Sequence, residues 1–388
     1  MRFIVGDGAV ADNMPSVAPM RPFSDIAIAF LNDLSKKVMS RGRAYSDVFT
    51  FGFWCRRSAL LKEKSKYDDL CCRLGKGVIF HSTPSNVPVN FAFSFAAGLL
   101  AGNANIVRLP ALNFEQVNII CAAFNDLLEH DHKELRPYIC MVKYPTGAEI
   151  TDKFSSMCDV RVIWGGDDTI AAIRKSPLSP RATDITFADR YSIAVIDAPA
   201  YLASEDKDKL ARNFYNDTYF SDQNACTSPR IIFWIGEEKE SAKKIFWKNI
   251  HDLAKKNYAL APVQSVGKLA AFYRAAAERN VRLEKGEDCY VTRVNVDSID
   301  EDLMRFKYNS GFFFEYDISA LDDILPACAG RCQTLTYYGL TRERLTKLLA
   351  CPPRGVDRIV PIGTSMDFSL VWDGYDLIRG LSRKVSII

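Results

Sequence analysis

Gly77-Val-Ile-Phe-His-Ser-Thr-Pro-Ser-Asn-Val-Pro88, followed by Gly98-Leu-Leu-Ala-Gly-Asn-Ala-Asn-Ile-Val-Arg-Leu109, is the stretch on which the architecture turns. Two short β-rich runs, Val78–His81 and Asn105–Leu109, flank an apolar pattern at Pro88–Ala101 of helical length. The alternation continues through strands expected at Ile139–Tyr144, Asp159–Trp164 and Tyr191–Ile196, with helices at Phe114–His130, Ala148–Ser156 and Asp168–Lys175. Strand and helix in this order predict a parallel sheet covered by helices.

Upstream of this stretch, residues 1 to 70 are mostly of helical pattern, with Ser24–Ser40 the clearest case. Downstream of Asp197 the alternation resumes: helices near Asp206–Phe220, Glu238–Lys256 and Lys268–Asn280, and strands at Arg230–Trp234, Cys289–Val296, Phe312–Tyr316 and Thr334–Tyr338. No internal repeat or low-complexity linker divides the chain. The expected fold class is therefore α/β with two Rossmann-like α/β domains and the active site in the crevice between them. The expected division is a helical segment with a cofactor-binding domain over 1–190, a catalytic domain over 191–355, and a segment over 356–388 returning to the cofactor side.

Composition excludes several classes. With 388 residues, 48% hydrophobic and 25% charged, the chain has a globular rather than a disordered composition. A net charge of +3 with mixed signs argues against nucleic acid or an anionic membrane as the main partner. The N-terminus lacks the apolar core of a signal peptide and no 18-residue apolar run spans a bilayer, so a cytoplasmic protein is expected. Eleven irregularly placed cysteines fit a reducing compartment. Cys328-Ala-Gly-Arg-Cys332 and His130-Asp131-His132 lack the further ligands a metal site needs, so no metal is expected.

Four segments lie at predicted strand ends: Ser82–Pro88, Arg108–Pro110, Gly165–Asp168, and the loop Asp222-Gln-Asn-Ala-Cys-Thr-Ser-Pro-Arg230. The last sets Cys226 among small polar residues just before the apolar run Ile231–Trp234. A nucleophilic thiol needs such surroundings, with room for a carbonyl, backbone N–H donors and something that favours the thiolate. A protease-like Cys-His pair would draw on His81 or His251. Asn86, directly before Val87-Pro88, is either a side-chain donor to an oxyanion or the cap of the following helix.

Taken together these segments resemble the aldehyde dehydrogenase superfamily, and within it the LuxC-type acyl-CoA reductases. The resemblance covers about residues 77 to 388. It rests on Pro84-Ser-Asn-Val-Pro88, Gly98–Asn105, Val162–Ile170, Gln223–Arg230, Gly355–Gly363 and Val371–Asp376. It implies that Cys226 takes an acyl group from CoA, an acyl-carrier or an acyl-protein synthetase partner, with Asn86 and the Cys226 N–H stabilising the oxyanion. A hydride from a nicotinamide cofactor then releases an aldehyde. The resemblance places Pro84, Ser85, Arg108, Ala111, Gly165 and Gly166 at the cofactor. Arg108 together with Ala111, where NAD-preferring relatives carry a glutamate, favours a 2′-phosphate and hence NADPH.

Ala182–Arg190 contains no glutamate where aldehyde-oxidising relatives hold their water-activating base, which suits transfer and reduction rather than hydrolysis. Asp184 or Asp189 is the alternative base. Other readings are a cysteine acyltransferase or thioesterase without hydride transfer, and a non-catalytic partner of an acyl-protein synthetase. Phe91, Phe93, Phe95 and Phe312–Phe314 either line an acyl tunnel or fill the core. Relatives form homo-oligomers by sheet extension, and Val385–Ile388 is a candidate edge strand for it.

Overall fold

The computed structural model describes residues 1–85, 87–145 and 147–387, leaving the Ala148 side chain aside. In it Val78–Ser82 is buried along its whole length because both faces of the strand are covered. Val78 and Phe80 pack with Ile106, Val142 and Phe154 on one face. Ile79 packs with Phe91, Phe95 and Leu99 on the other. Period-two alternation puts His81 on the Ile79 face, towards the helix that follows.

The chain forms two compact units, Met1–Ala188 with Phe368–Ile388, and Asp189–Asp367. The first is built on six strands: β1 (Arg2–Val5), β2 (Val78–Ser82), β3 (Ala104–Arg108), β4 (Ile139–Lys143), β5 (Val160–Trp164) and β6 (Thr183–Phe187). Their order is β1-β4-β3-β2-β5-β6, parallel except for β1. From β2 the sheet grows first towards β3 and β4 and then the other way through β5 and β6, so the carboxyl end of β2 is a switch point. Helices α1 (Asp25–Arg41), α2 (Asn90–Leu100), α3 (Glu115–Glu129), α4 (Ala148–Met157) and α5 (Asp167–Arg174) belong to this unit. Ser24 caps α1, its Oγ accepting from Ala27 N at 3.4 Å.

The second unit carries β7 (Tyr191–Asp197), β8 (Pro229–Ile235), β9 (Val281–Leu283), β10 (Thr292–Val296), β11 (Phe312–Asp317), β12 (Cys332–Tyr338) and β13 (Arg358–Pro361). The order is β9-β10-β11-β8-β7-β12-β13, with β9 alone antiparallel. Helices α6 (Lys207–Thr218), α7 (Lys239–Asn257) and α8 (Pro262–Glu278) belong to this unit. Phe312 and Phe314 face one core cluster and Phe313 the opposite one. Phe91 and Phe95 are fully buried, and Phe93 meets Phe51, Trp54 and Phe368 with ring centroids 5.1, 5.7 and 4.7 Å away. These phenylalanines are core; burying each contributes about 2–3 kcal/mol.

The segment from 356 onward is divided. Arg358–Pro361 adds to the second sheet beside β12, whereas Leu370, Trp372, Leu377, Ile378 and Leu381 join the core of the first unit. The terminal strand is Ser382–Lys384, paired antiparallel with Arg73–Gly75. Residues 385–387, expected as an edge strand, lie outside any strand, and Ile388 lies outside the described residues. The reason is local: buried Arg73 bonds Ser382 Oγ at 2.8 Å, the Ser382 carbonyl at 3.2 Å and the Arg379 carbonyl at 2.9 Å, which fixes the pairing three residues earlier.

Candidate active site

Cys226 is partly buried on the loop between α6 and β8. Because Ser192, the second residue of β7, lies opposite Pro229, the first of β8, this loop sits at the amino-terminal edge of the second sheet. The carboxyl edge, where open α/β sheets usually bind ligands, is the opposite one. The loop is held by its flanking polar residues. Asp222 and Gln223 both take the left-handed conformation, with φ of 51° each. Gln223 is fully buried: its Oε1 accepts from Gly311 N at 2.8 Å and Phe312 N at 3.2 Å, and its Nε2 donates to the Pro229 and Phe312 carbonyls at 3.3 Å each. Asp222 accepts from Tyr258 OH and from Ser310 Oγ at 2.7 Å.

Arg230 closes the other end. Its guanidinium donates to the Gln223 carbonyl, to the Tyr308 carbonyl at 2.9 Å and to Asn309 Oδ1 at 3.0 Å. Burial pulls the Arg230 pKa down, opposed by Asp189, by Cys226 when it is ionised, and by Asp222. Asn224 Oδ1 accepts from Asn309 at 2.7 Å, and the Cys226 carbonyl accepts from Ser192 Oγ at 2.7 Å. These bonds tie down the residues on both sides of Cys226, which is itself partly buried.

Asp217, on the last turn of α6, is 1% exposed. Its carboxylate accepts from Gly363 N at 2.6 Å and Ser365 N at 3.1 Å, fixing the loop after β13. Burial pushes its pKa up to about 6 despite those bonds. The anchored loop carries Met366, whose Sδ lies 3.3 Å from Thr227 Oγ1, next to the thiol.

In the first unit, Ser82 pairs with Arg108 across β2 and β3, and with Ile163 across β2 and β5. The segments starting at Thr83, Arg108 and Gly165 therefore emerge from one carboxyl edge at the switch point. Thr83 Oγ1 donates to the Arg108 carbonyl at 2.6 Å. The Arg108 guanidinium lies 4.5 Å from the Tyr144 ring centroid, and Nη2 reaches the Tyr144 carbonyl at 3.5 Å. Among the described residues Arg108 has no carboxylate partner. Ala111 and Ser85 are exposed and Pro84 partly buried. Asn86 lies outside the described residues.

Gly166 caps α5 with an ordinary φ of −67°, and a Cβ added there would meet nothing within 4 Å. A Cβ on Gly165 would come within 3.1 Å of Thr169. The open space at Gly166 admits a close-approaching group. Asp167 and Asp168 fill the first turn of α5, so this helix start already carries negative charge.

A buried polar chain supports this edge. Trp164 Nε1 donates to Ser94 Oγ at 2.9 Å, Ser94 meets His81 Nδ1 at 2.8 Å, and His81 Nε2 meets Asn105 Oδ1 at 3.0 Å. Asn105 Nδ2 then donates to the Asn103 carbonyl at 2.7 Å. One donor direction satisfies all four bonds, with His81 neutral and protonated on Nε2. Burial lowers the His81 pKa to about 4, which keeps it so. A Cβ on Gly98 would strike Asn105 Oδ1 at 2.0 Å, so only glycine lets α2 approach the chain.

Both histidines weighed as thiol partners are bound elsewhere, His81 in this chain and His251 to Asp288 at 2.9 Å. Asp184 holds buried Arg161 bidentately at 2.7 and 3.0 Å, and Asp189 pairs with Lys307 at 3.2 Å. The same Arg161 also donates to Ser155 Oγ and the Ile173 and Ser176 carbonyls, so Asp184 neutralises a saturated structural cation. Sequence reasoning missed Asp217, the place of His81 in a buried polar chain, and the anchoring work of Gln223 and Arg230. The last two had a signal, since a buried-length apolar strand that opens on Arg230 must pair that charge.

The family model described as acyl-CoA reductase (LuxC) matches residues 57–384. The long-chain acyl-protein thioester reductase of Vibrio harveyi is 27% identical over 327 residues, covering 81% of this chain and 64% of the relative. The Photorhabdus luminescens protein of that name is 26% identical over 323 residues, covering 81% and 63%. The chain thus spans a little under two thirds of these relatives. Aldehyde dehydrogenase 21 of Physcomitrella patens superposes with a TM-score of 0.65 at 12% identity, covering 97% of this chain and 87% of that one. An oxidoreductase of Marinobacter aquaeolei gives 0.68 at 12% identity, covering 97% and 88%. These structures share the fold, which is aldehyde dehydrogenase-like.

Proposed function

Because the chain belongs to the acyl-CoA reductase (LuxC) family, we propose that it reduces an acyl thioester to an aldehyde through an acyl group carried on Cys226. The observation that carries this reading is the thiol loop, in which buried Gln223 and Arg230 immobilise the backbone while Cys226 remains reachable. Arg230 places a fixed positive charge where an ionised Cys226 is felt, and a cation beside a thiol favours the thiolate.

The thiolate adds to the thioester carbonyl carbon, forming an Sγ–C bond, and the carrier sulfur departs as a thiolate with its electron pair. Asn86 and the Cys226 N–H are the donors this reading assigns to the oxyanion. NADPH, when bound, would supply the hydride that turns the acyl-enzyme carbonyl into the oxyanion of a thiohemiacetal. As that oxygen re-forms the carbonyl, the C–S bond breaks with its electron pair on sulfur, which returns the Cys226 thiolate and frees the aldehyde. Residues at the carboxyl edge of the first sheet fit this cofactor: Arg108 without a carboxylate partner suits a 2′-phosphate, with Ala111 leaving it uncontested, and Gly165–Gly166 with Pro84 and Ser85 admit the backbone approach. Hydrolysis is disfavoured because Asp184 is committed to Arg161 and Asp189 to Lys307. The acyl donor in this reading is an acyl-CoA or an acylated protein, the latter supplied by an acyl-protein synthetase.

Incubation with a long-chain acyl-CoA and no cofactor should give an acyl adduct that mass spectrometry maps to Cys226 and that Cys226→Ala abolishes. No adduct, or one that survives in Cys226→Ala, refutes the reading. Arg108→Ala should lower the NADPH-to-NADH ratio of kcat/KM about tenfold; an unchanged ratio removes Arg108 from the cofactor site.

A further inference from the structure

A small net charge conceals a local concentration. Between Lys36 and Lys66 the chain holds nine Lys or Arg against two Asp or Glu, a net of +7 in a molecule whose total is +3. This stretch folds as the end of α1 and the helices Ser46–Trp54 and Arg57–Lys64. The three helices frame a groove of about 700 Å³ lined by Lys36, Met39, Arg43, Phe49, Arg56 and Arg57 among others. Lys36 is paired with Asp33 at 2.7 Å, Lys37 and Arg41 with Asp126 at 3.0 and 2.7 Å, and Lys66 with Glu63 at 2.7 Å, so the charge the groove itself presents is that of Arg43, Arg56 and Arg57. Among the described residues, Arg43 and Arg57 have no carboxylate partner.

Apolar surface accompanies the charge. Phe49 is 40% and Phe53 49% exposed, and the Arg56 guanidinium lies 3.2 Å from the Phe53 ring centroid. Cations gathered on one face repel one another unless a counter-charge arrives, and arginine is the side chain best shaped for carboxylates. Arginine beside exposed aromatic rings is the composition of a protein-binding hot spot. A single phosphate would answer the charges and leave both rings in water. An acidic protein surface offers carboxylates and apolar side chains together.

We propose that this groove is the docking surface for an acidic protein that carries the acyl group as a thioester. The choice of partner, though not the docking surface, rests on the function proposed above. Charge complementarity guides the encounter and the two phenylalanine rings hold the complex, so binding should weaken with salt.

The test uses the full chain and a fluorescently labelled tetradecanoyl acyl carrier protein, a small acidic protein, followed by anisotropy. Saturable binding is expected, weakening about tenfold between about 50 and about 300 mM salt. The double variant Arg43→Glu/Arg57→Glu should bind at least about tenfold more weakly. Its thermal midpoint and its KM for tetradecanoyl-CoA should match the parent protein. The proposal is overturned if the parent does not bind saturably, or if the double variant binds as tightly. It is also overturned if the KM for tetradecanoyl-CoA rises as much as the carrier dissociation constant, which would give the groove to nucleotide phosphates. Loss of binding to phosphatidylglycerol vesicles with carrier binding intact would give it to a lipid surface. If the carrier binds through the groove but neither thioester is reduced, the docking surface stands and the proposed function falls.

Discussion

Gln223 shows how one buried side chain sets the position of another that reacts. Its amide satisfies two N–H groups at the start of β11 and two carbonyls. Gln223→Ala removes the acceptor of the Gly311 and Phe312 N–H groups, at about 1–3 kcal/mol for each group left wanting. Chemical denaturation should show a loss of about 2–6 kcal/mol, and the rate of acyl transfer to Cys226 should fall with it. Arg230→Gln removes the fixed charge beside the thiol. Alkylation of Cys226 by iodoacetamide should then slow about tenfold at pH 7, its pH profile moving upward. An unchanged profile would show that Arg230 only builds the loop. Cys226 and its neighbours were readable from the sequence as a small polar segment before a strand, because a reactive thiol needs that composition. That Gln223 is an internal anchor was not, since Gly311 and Phe312, which take three of its four side-chain bonds, lie 88 and 89 residues away.

At the scale of elements, two buried titratable groups give opposite pH dependence. His81 ties β2 to α2, and burial lowers its pKa from 6.5 to about 4. Between those values the unfolded chain binds a proton that the folded chain refuses. Stability from this group is therefore complete above pH 6.5 and falls by about 3 kcal/mol on descending to pH 4. Asp217 ties α6 to the loop after β13, and burial raises its pKa from 3.8 to about 6. Here the folded chain holds the extra proton, so stability is greatest below pH 3.8 and falls by about 3 kcal/mol as pH rises through 6. Urea unfolding from pH 4 to 7 should show His81→Gln losing the acid-side decline and Asp217→Asn losing the opposite one. Equal slopes in parent and variants would contradict both assignments. Strand and helix positions were legible because apolar periodicity is local: Val78–Ser82, Glu115–Glu129 and Tyr191–Asp197 fall within two residues of expectation. The antiparallel β1 was not legible, because Arg2–Val5 becomes a strand only by pairing with residues 141–143.

For the molecule as a whole, the chain returns at Phe368 to complete the first unit. A chain ending at Asp367 should lose Leu370, Trp372, Leu377, Ile378 and Leu381 from that core and strip Arg73 of Ser382 and the Arg379 carbonyl. Limited proteolysis should then cut within residues 1–188 while Asp189–Asp367 resists, and equal resistance throughout would contradict the division. The sequence by itself determined the α/β class, the order of elements, the polar thiol segment and the family, because periodicity and motif spacing are properties of neighbouring residues. Only the tertiary structure decided that Asp184 is spent on Arg161, that the phenylalanines fill cores, that the thiol loop lies at the amino edge of its sheet, and that Lys36, Arg43, Arg56 and Arg57 line one groove. Those facts depend on which distant side chains meet once burial demands that each polar group find a partner.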